Sequence, residues 1–119
     1  MKKKLAIVDD EPLIRKYLTA LLSDKFDVTA FASAQIAMEY FLKNKNIDYI
    51  LCDYLMDEAN GLDFLDYLVN IEYFTNIKKS FCFMTAFENN DVHYKLINTG
   101  CRVVGKSNLS VSTIEAFFE

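Results

Sequence analysis

Short, nearly unbroken apolar runs alternate along this chain with stretches whose apolar positions recur every three or four residues. Leu5-Ala6-Ile7-Val8, Tyr49-Ile50-Leu51-Cys52 and Phe81-Cys82-Phe83-Met84 are bounded by polar residues, the pattern of strands buried on both faces of a parallel sheet. Asp27 to Phe31 predicts a weaker second strand and Val103-Val104 a short fifth one. Leu13, Ile14, Tyr17, Leu18, Leu21 and Leu22 predict a first helix running through Ser23, opened by Pro12 where a missing N–H costs nothing. Ser33 is placed to cap a second helix, whose apolar face is Ile36, Ala37, Tyr40 and Phe41 and which stops at Asn44 to Asn46. Leu62, Leu65, Leu68 and Val69 mark a third. Glu88 to Asp91 begins a weakly amphipathic fourth, with Val92, Leu96 and Thr99, and Gly100 ends it. Leu109 through Phe118 predicts the last. Strand and helix thus alternate five times, which implies an α/β domain: a parallel sheet covered on both faces, with right-handed crossovers.

At 119 residues one domain, 1–119, is expected. The 52% hydrophobic and 25% charged content excludes a disordered chain. A net charge of −4 argues against direct contact with nucleic acid, and Lys2 to Lys4, the one basic run, reads as a solvated tail. Leu5 to Val8 is too short for a signal peptide or membrane span. Cys52, Cys82 and Cys101 are odd in number and lie in apolar surroundings, as reduced thiols do rather than a disulfide frame. A cytoplasmic protein is expected.

The candidate chemistry lies at the strand ends. The first run ends in Asp9-Asp10-Glu11, the third in Asp53, the fourth in Thr85-Ala86, and the fifth leads to Lys106. A parallel sheet opens the carboxyl ends of all its strands on one edge, where the ligand crevice forms. Three clustered carboxylates raise one another's pKa, and a hard divalent cation such as Mg²⁺ removes the conflict. A carboxylate oxygen of Asp53 could then attack phosphorus, with Lys106 and the Thr85 hydroxyl offsetting charge on the transferring oxygens. Each residue alone has an ordinary reading: Asp9-Asp10 as helix N-terminal acids, Asp53 as a turn residue, Thr85 as a strand-end hydroxyl, Lys106 as a solvated charge. The specificity lies in their order, each at the end of its own strand.

In Val8-Asp9-Asp10-Glu11, Asp53 with Gly61 downstream, Thr85-Ala86 and Gly105-Lys106, the chain resembles, over nearly its whole length, the receiver domain of bacterial two-component response regulators. The resemblance implies a flavodoxin-like, doubly wound fold of five parallel strands in the order 2-1-3-4-5. It implies that Asp53 accepts a phosphoryl group from a histidine kinase or phosphotransfer protein. It assigns Mg²⁺ to Asp9, Asp10, Asp53 and the backbone carbonyl of Leu55, the phosphate-sensing pair to Thr85 and Lys106, and a phosphate contact to the Ala86 N–H. Output would pass through the face of the fourth helix, fifth strand and fifth helix, to an unknown output domain or protein, a homodimer being one arrangement.

The sequence departs from that pattern in places. Asp57 stands where the family usually has proline, four residues after the acceptor. Ser107 replaces the proline that follows the lysine in a cis peptide; a cis bond before a non-proline residue costs about 3 kcal/mol, so this loop is expected to be trans or strained. Val103 replaces an aromatic three residues before the lysine, and the Gly100 to Lys106 segment is one residue shorter than usual. Leu55 and Phe87, beside the phosphate position, offer no group to orient a water, which implies slow self-hydrolysis. His93, the single histidine, reads as a surface residue. Tyr94, Phe117 and Phe118 are candidates for a partner face. Two rivals remain: a phosphate-independent docking module, favoured by Asp57, Val103 and Ser107, and a small Mg²⁺-dependent phosphohydrolase, opposed by the lack of a second acid or base. The chain is read as a switch and not a turnover enzyme.

Overall fold

The computed structural model describes residues 2–86 and 91–118. The elements run β1 (Lys3–Val8), α1 (Pro12–Leu22), β2 (Phe26–Phe31), α2 (Ala34–Lys43), β3 (Tyr49–Asp53), α3 (Gly61–Asn70), α4 (Ile77–Ser80), β4 (Phe81–Thr85), α5 (Asp91–Ile97), β5 (Arg102–Gly105), a 3₁₀ turn (Lys106–Asn108) and α6 (Val111–Phe118). The five strands form one parallel sheet in the order β2-β1-β3-β4-β5. This is the flavodoxin-like topology that the resemblance implies.

The apolar runs are buried on both faces because alternate residues enter two separate cores. Ala6, Val8, Ile50, Cys52, Phe81 and Phe83 face Ala37, Phe41, Phe64, Leu68 and Leu96 of α2, α3 and α5. Leu5, Ile7, Leu51, Cys82, Met84 and Val104 face Leu18, Leu22, Ile114 and Phe118 of α1 and α6. Two-sided burial leaves no polar position in β3 past Tyr49 or in β4 until the carboxyl end, and Asp9, Asp53 and Thr85 are the buried polar residues among those described.

The starts of α2, α3 and α6 follow side-chain caps. The Ser33 hydroxyl accepts the Ile36 N–H at 3.1 Å, as expected. Asn60 and Asp63 form a reciprocal capping box at α3. α6 begins at Val111 and not at Leu109, because the Ser110 hydroxyl accepts the Thr113 N–H at 3.1 Å and fixes the first turn there. Gly100, at φ +84°, turns the chain after α5. Among the described residues no peptide bond is cis, so the bond joining Lys106 to Ser107 is trans.

Two expectations are corrected. The apolar stripes are wider than the surfaces that receive them: Leu13, Tyr17, Ile36 and Val69 are exposed, while Leu18 and Leu22, one turn apart, carry the contact of α1. The one-turn helix α4 is also new; four residues with a single apolar side chain, Ile77, show no period. The expected start of the fourth helix at Glu88 to Asn90 lies outside the described residues. Tyr94 is exposed, Phe117 half-buried and Phe118 buried, so the aromatics near the chain end form no single outward cluster.

Candidate functional site

The sheet places the expected residues through its register. Val8 pairs with Cys52, Asp53 with Met84, and Thr85 with Gly105. Asp9, Asp53, Thr85 and Lys106 therefore stand at one edge, each at or one step beyond the end of its strand. Strand order reverses between β1 and β3, so Asp9 and Asp53 flank the switch point where such sheets take their ligands. The Asp9 N–H continues the ladder to the Phe31 carbonyl at 3.1 Å, and the Arg15 guanidinium donates to the Asp9 carbonyl at 2.8 Å.

Lys106 is the centre of charge. Its Nζ lies 3.1 Å from Asp9 Oδ2, 3.3 Å from Asp53 Oδ2 and 3.2 Å from Glu11 Oε1. Asp9 and Asp53 are buried. Burial pushes the Asp53 carboxyl up to about 7, with a further rise from the Asp9 charge and only partial relief from Lys106. Burial raises Asp9 as well, against the lowering effect of the Glu11 N–H and Lys106. For Lys106, burial opposes the charge, but Asp53, Asp9 and Glu11 together hold its pKa above the ordinary range. One ammonium does not balance this group of acids.

The donor set fits a hard cation. Asp9, Asp10, Glu11 and Asp53 each offer a carboxylate oxygen within 4.8 Å of the others. Asp9 Oδ2 is buried and, among the described residues, accepts no aligned hydrogen bond despite its ion pair with Lys106, which leaves a lone pair for a metal. Oxygen donors of this kind suit Mg²⁺.

Two backbone features bring the β3–α3 loop against this cluster. The Gly61 N–H donates to the Tyr54 carbonyl at 2.8 Å, and the Tyr54 N–H to the Met84 carbonyl at 3.0 Å. A Cβ on Gly61 would sit 2.8 Å from the Asp53 carbonyl oxygen, so only glycine lets α3 begin this close to β3. The Asp57 N–H donates to Asp10 Oδ2 at 3.3 Å. Leu55 and Ala86 stand in the loops after β3 and β4 with their side chains exposed, and Phe87 lies outside the described residues. Glu11 is the member of the cluster to which the sequence assigns no role beyond its place in the acidic turn and in the Val8-Asp9-Asp10-Glu11 motif.

The family model for the response regulator receiver domain matches residues 5–106. The chain belongs to the receiver domain family. As a receiver domain it is 34% identical over 70 residues to a protein-glutamate methylesterase/protein-glutamine glutaminase of Rhizobium etli, covering 57% of this chain and 20% of that protein. The counterpart of Methylobacillus flagellatus is 36% identical over 74 residues, covering 60% and 21%. The chain thus spans about one fifth of the length of these curated relatives. The receiver domain of Francisella response regulator 1452 superimposes with a TM-score of 0.80 at 17% identity, covering 98% and 97% of the two chains. A Vibrio cholerae chemotaxis protein, CheY4, gives 0.78 at 21% identity, covering 98% and 95%. In this receiver domain Val103, which replaces the expected aromatic, is half-buried and packs in the α2-α3-α5 core. Among the described residues no helix is long and apolar enough to cross a membrane.

Proposed function

We propose that Asp53 is the phosphoacceptor of a two-component switch, loaded in a Mg²⁺-dependent reaction by a histidine kinase or phosphotransfer protein. The observation that carries the reading is Lys106 Nζ, held 3.1 to 3.3 Å from both Asp9 and Asp53 at the carboxyl edge of the sheet. An Asp53 carboxylate oxygen forms a bond to phosphorus as the phosphorus–nitrogen bond of a phosphohistidine breaks, and the electron pair of that bond leaves with the imidazole. Asp9, Asp10, Asp53 and the Leu55 carbonyl would hold Mg²⁺, which would supply positive charge against the phosphoryl oxygens. Lys106 contributes an ammonium already placed beside Asp53, and the Ala86 N–H donates to a phosphoryl oxygen. Asp9 fixes the ammonium from the far side. Thr85, buried at the end of β4 and paired with Gly105, moves its hydroxyl toward the new anion and carries the change to β5. A surface including α5, β5 and α6 then changes its affinity for an output domain or protein. Switching to near completion requires the phosphoryl group to favour the active state by about 5 kcal/mol.

Intact-mass spectrometry after incubation with Mg²⁺ and a small phosphodonor tests this. The expected result is one added phosphoryl group on the wild type, absent without Mg²⁺ and absent in Asp53→Asn. A wild type that gains no adduct and also fails to bind beryllofluoride with Mg²⁺ would instead favour a docking module that does not use phosphate.

A further inference from the structure

The Glu11 carboxylate has an unusual occupation. Glu11 is the N-cap residue of α1, yet its side chain makes no capping hydrogen bond. It reaches instead to Lys106, 95 residues away, and accepts a hydrogen bond from Nζ at 3.2 Å. The backbone beneath it is fixed. Its N–H is held by Asp9 Oδ1 at 2.9 Å, and Pro12 restricts it to the extended conformation found, φ −89° and ψ 114°. The Glu11 side chain is 61% exposed, whereas that of Lys106 is 16% exposed and those of Asp9 and Asp53 are nearly or wholly buried. Of the three acids on Lys106 among the described residues, Glu11 is the exposed one and can leave by rotating its side chain into water.

We infer that Glu11 is a resident competitor for Lys106: its carboxylate occupies the ammonium in the resting protein and is displaced when Asp53 acquires a phosphoryl group. The inference rests on the phosphoacceptor reading of Asp53. An acyl phosphate brings anionic oxygens to the ammonium from the Asp53 side. Lys106 follows them, and two acids remain inside the cleft while the third swings out. Glu11 is then a positioning residue, acting on the phosphoryl group through Lys106. It sets a threshold: the incoming anion must outcompete an acid already in place.

The test compares wild type, Glu11→Gln and Glu11→Asp at saturating Mg²⁺, so that any loss of metal affinity is masked. Each is titrated with beryllofluoride while the ¹⁵N resonance of the Lys106 ammonium is followed. Glu11→Gln is expected to bind beryllofluoride about two- to fivefold more tightly, the range of a partly exposed ion pair. Glu11→Asp, too short to reach Nζ, is expected to gain affinity as well. The Lys106 resonance should differ between wild type and Glu11→Gln in the free proteins and coincide once beryllofluoride is bound. A purely structural role would not produce that convergence. Equal affinities for wild type and Glu11→Gln, or Lys106 resonances that still differ in the bound state, would overturn the competitor and leave Asp53 as acceptor. Beryllofluoride binding to none of the three would overturn the acceptor reading, and this inference with it.

Discussion

Asp53 illustrates how burial and charge set the behaviour of a single side chain. In the unfolded chain its carboxyl titrates near the ordinary value of about 4, whereas in the folded protein it is pushed up to about 7. Between those two values the folded state keeps a proton that the unfolded state has released. Stability therefore falls as pH rises through the window and levels off above it. The slope approaches about 1.4 kcal/mol per pH unit for one such proton, and the raised Asp9 pulls in the same direction. Urea denaturation in EDTA should thus find the wild type less stable at pH 7.5 than at pH 5. Asp53→Asn should flatten that dependence and be the more stable protein at pH 7.5. A wild type that gains stability across the window would contradict the account. Asp9, Asp53 and Lys106 were legible in the sequence because each follows its own strand. The grip of Glu11 on Lys106 was not, because no local pattern links residues that meet only when β1 and β5 are drawn to the same edge.

Among the elements, α3 is tied most closely to the site. Its first residue, Gly61, touches the backbone of the strand that carries Asp53. Alanine is the better helix former by about 1 kcal/mol, but its Cβ would stand 2.8 Å from the Asp53 carbonyl oxygen, 3.1 Å from the Tyr54 Cα and 3.2 Å from the Phe83 ring. Two of those atoms are backbone and cannot rotate away, so the clash outweighs the propensity. Gly61→Ala is expected to lose about 1–3 kcal/mol of stability, read from the urea midpoint, and to accept phosphoryl groups more slowly, because what must shift is Asp53 itself. A variant as stable as wild type would show that the loop yields freely. Strands were readable as apolar runs because both sheet faces are covered. Helix limits were less so: they depend on which hydroxyl or amide closes the first turn, Ser33 and Asn60 at α2 and α3, and Ser110 one residue past the apolar start at Leu109. Periodicity likewise marked Leu13 and Tyr17 as apolar without showing that both stay exposed.

For the whole molecule, the central fact is one sheet serving two cores that do not mix. Cys52 belongs to the α2-α3-α5 side and Cys82 to the α1-α6 side, both fully buried. Burial holds both thiols well above their usual titration range, so neither is a nucleophile in the folded protein. Cys101, on the same side as Cys52 and slightly exposed, is the third. The chain therefore carries a native clock on each side of its sheet. With an alkylating reagent under native conditions, peptide mass mapping should find Cys101 modified first. Cys52 and Cys82 should be modified only as fast as the molecule opens. If one of the two reports earlier than the other, one layer loosens while its neighbour stays shut; if they report together, the two cores fail as one. Rapid modification of both in the folded protein would contradict their burial. Since Cys52 adjoins Asp53 on β3, its label also times the loosening of the strand that holds the proposed acceptor.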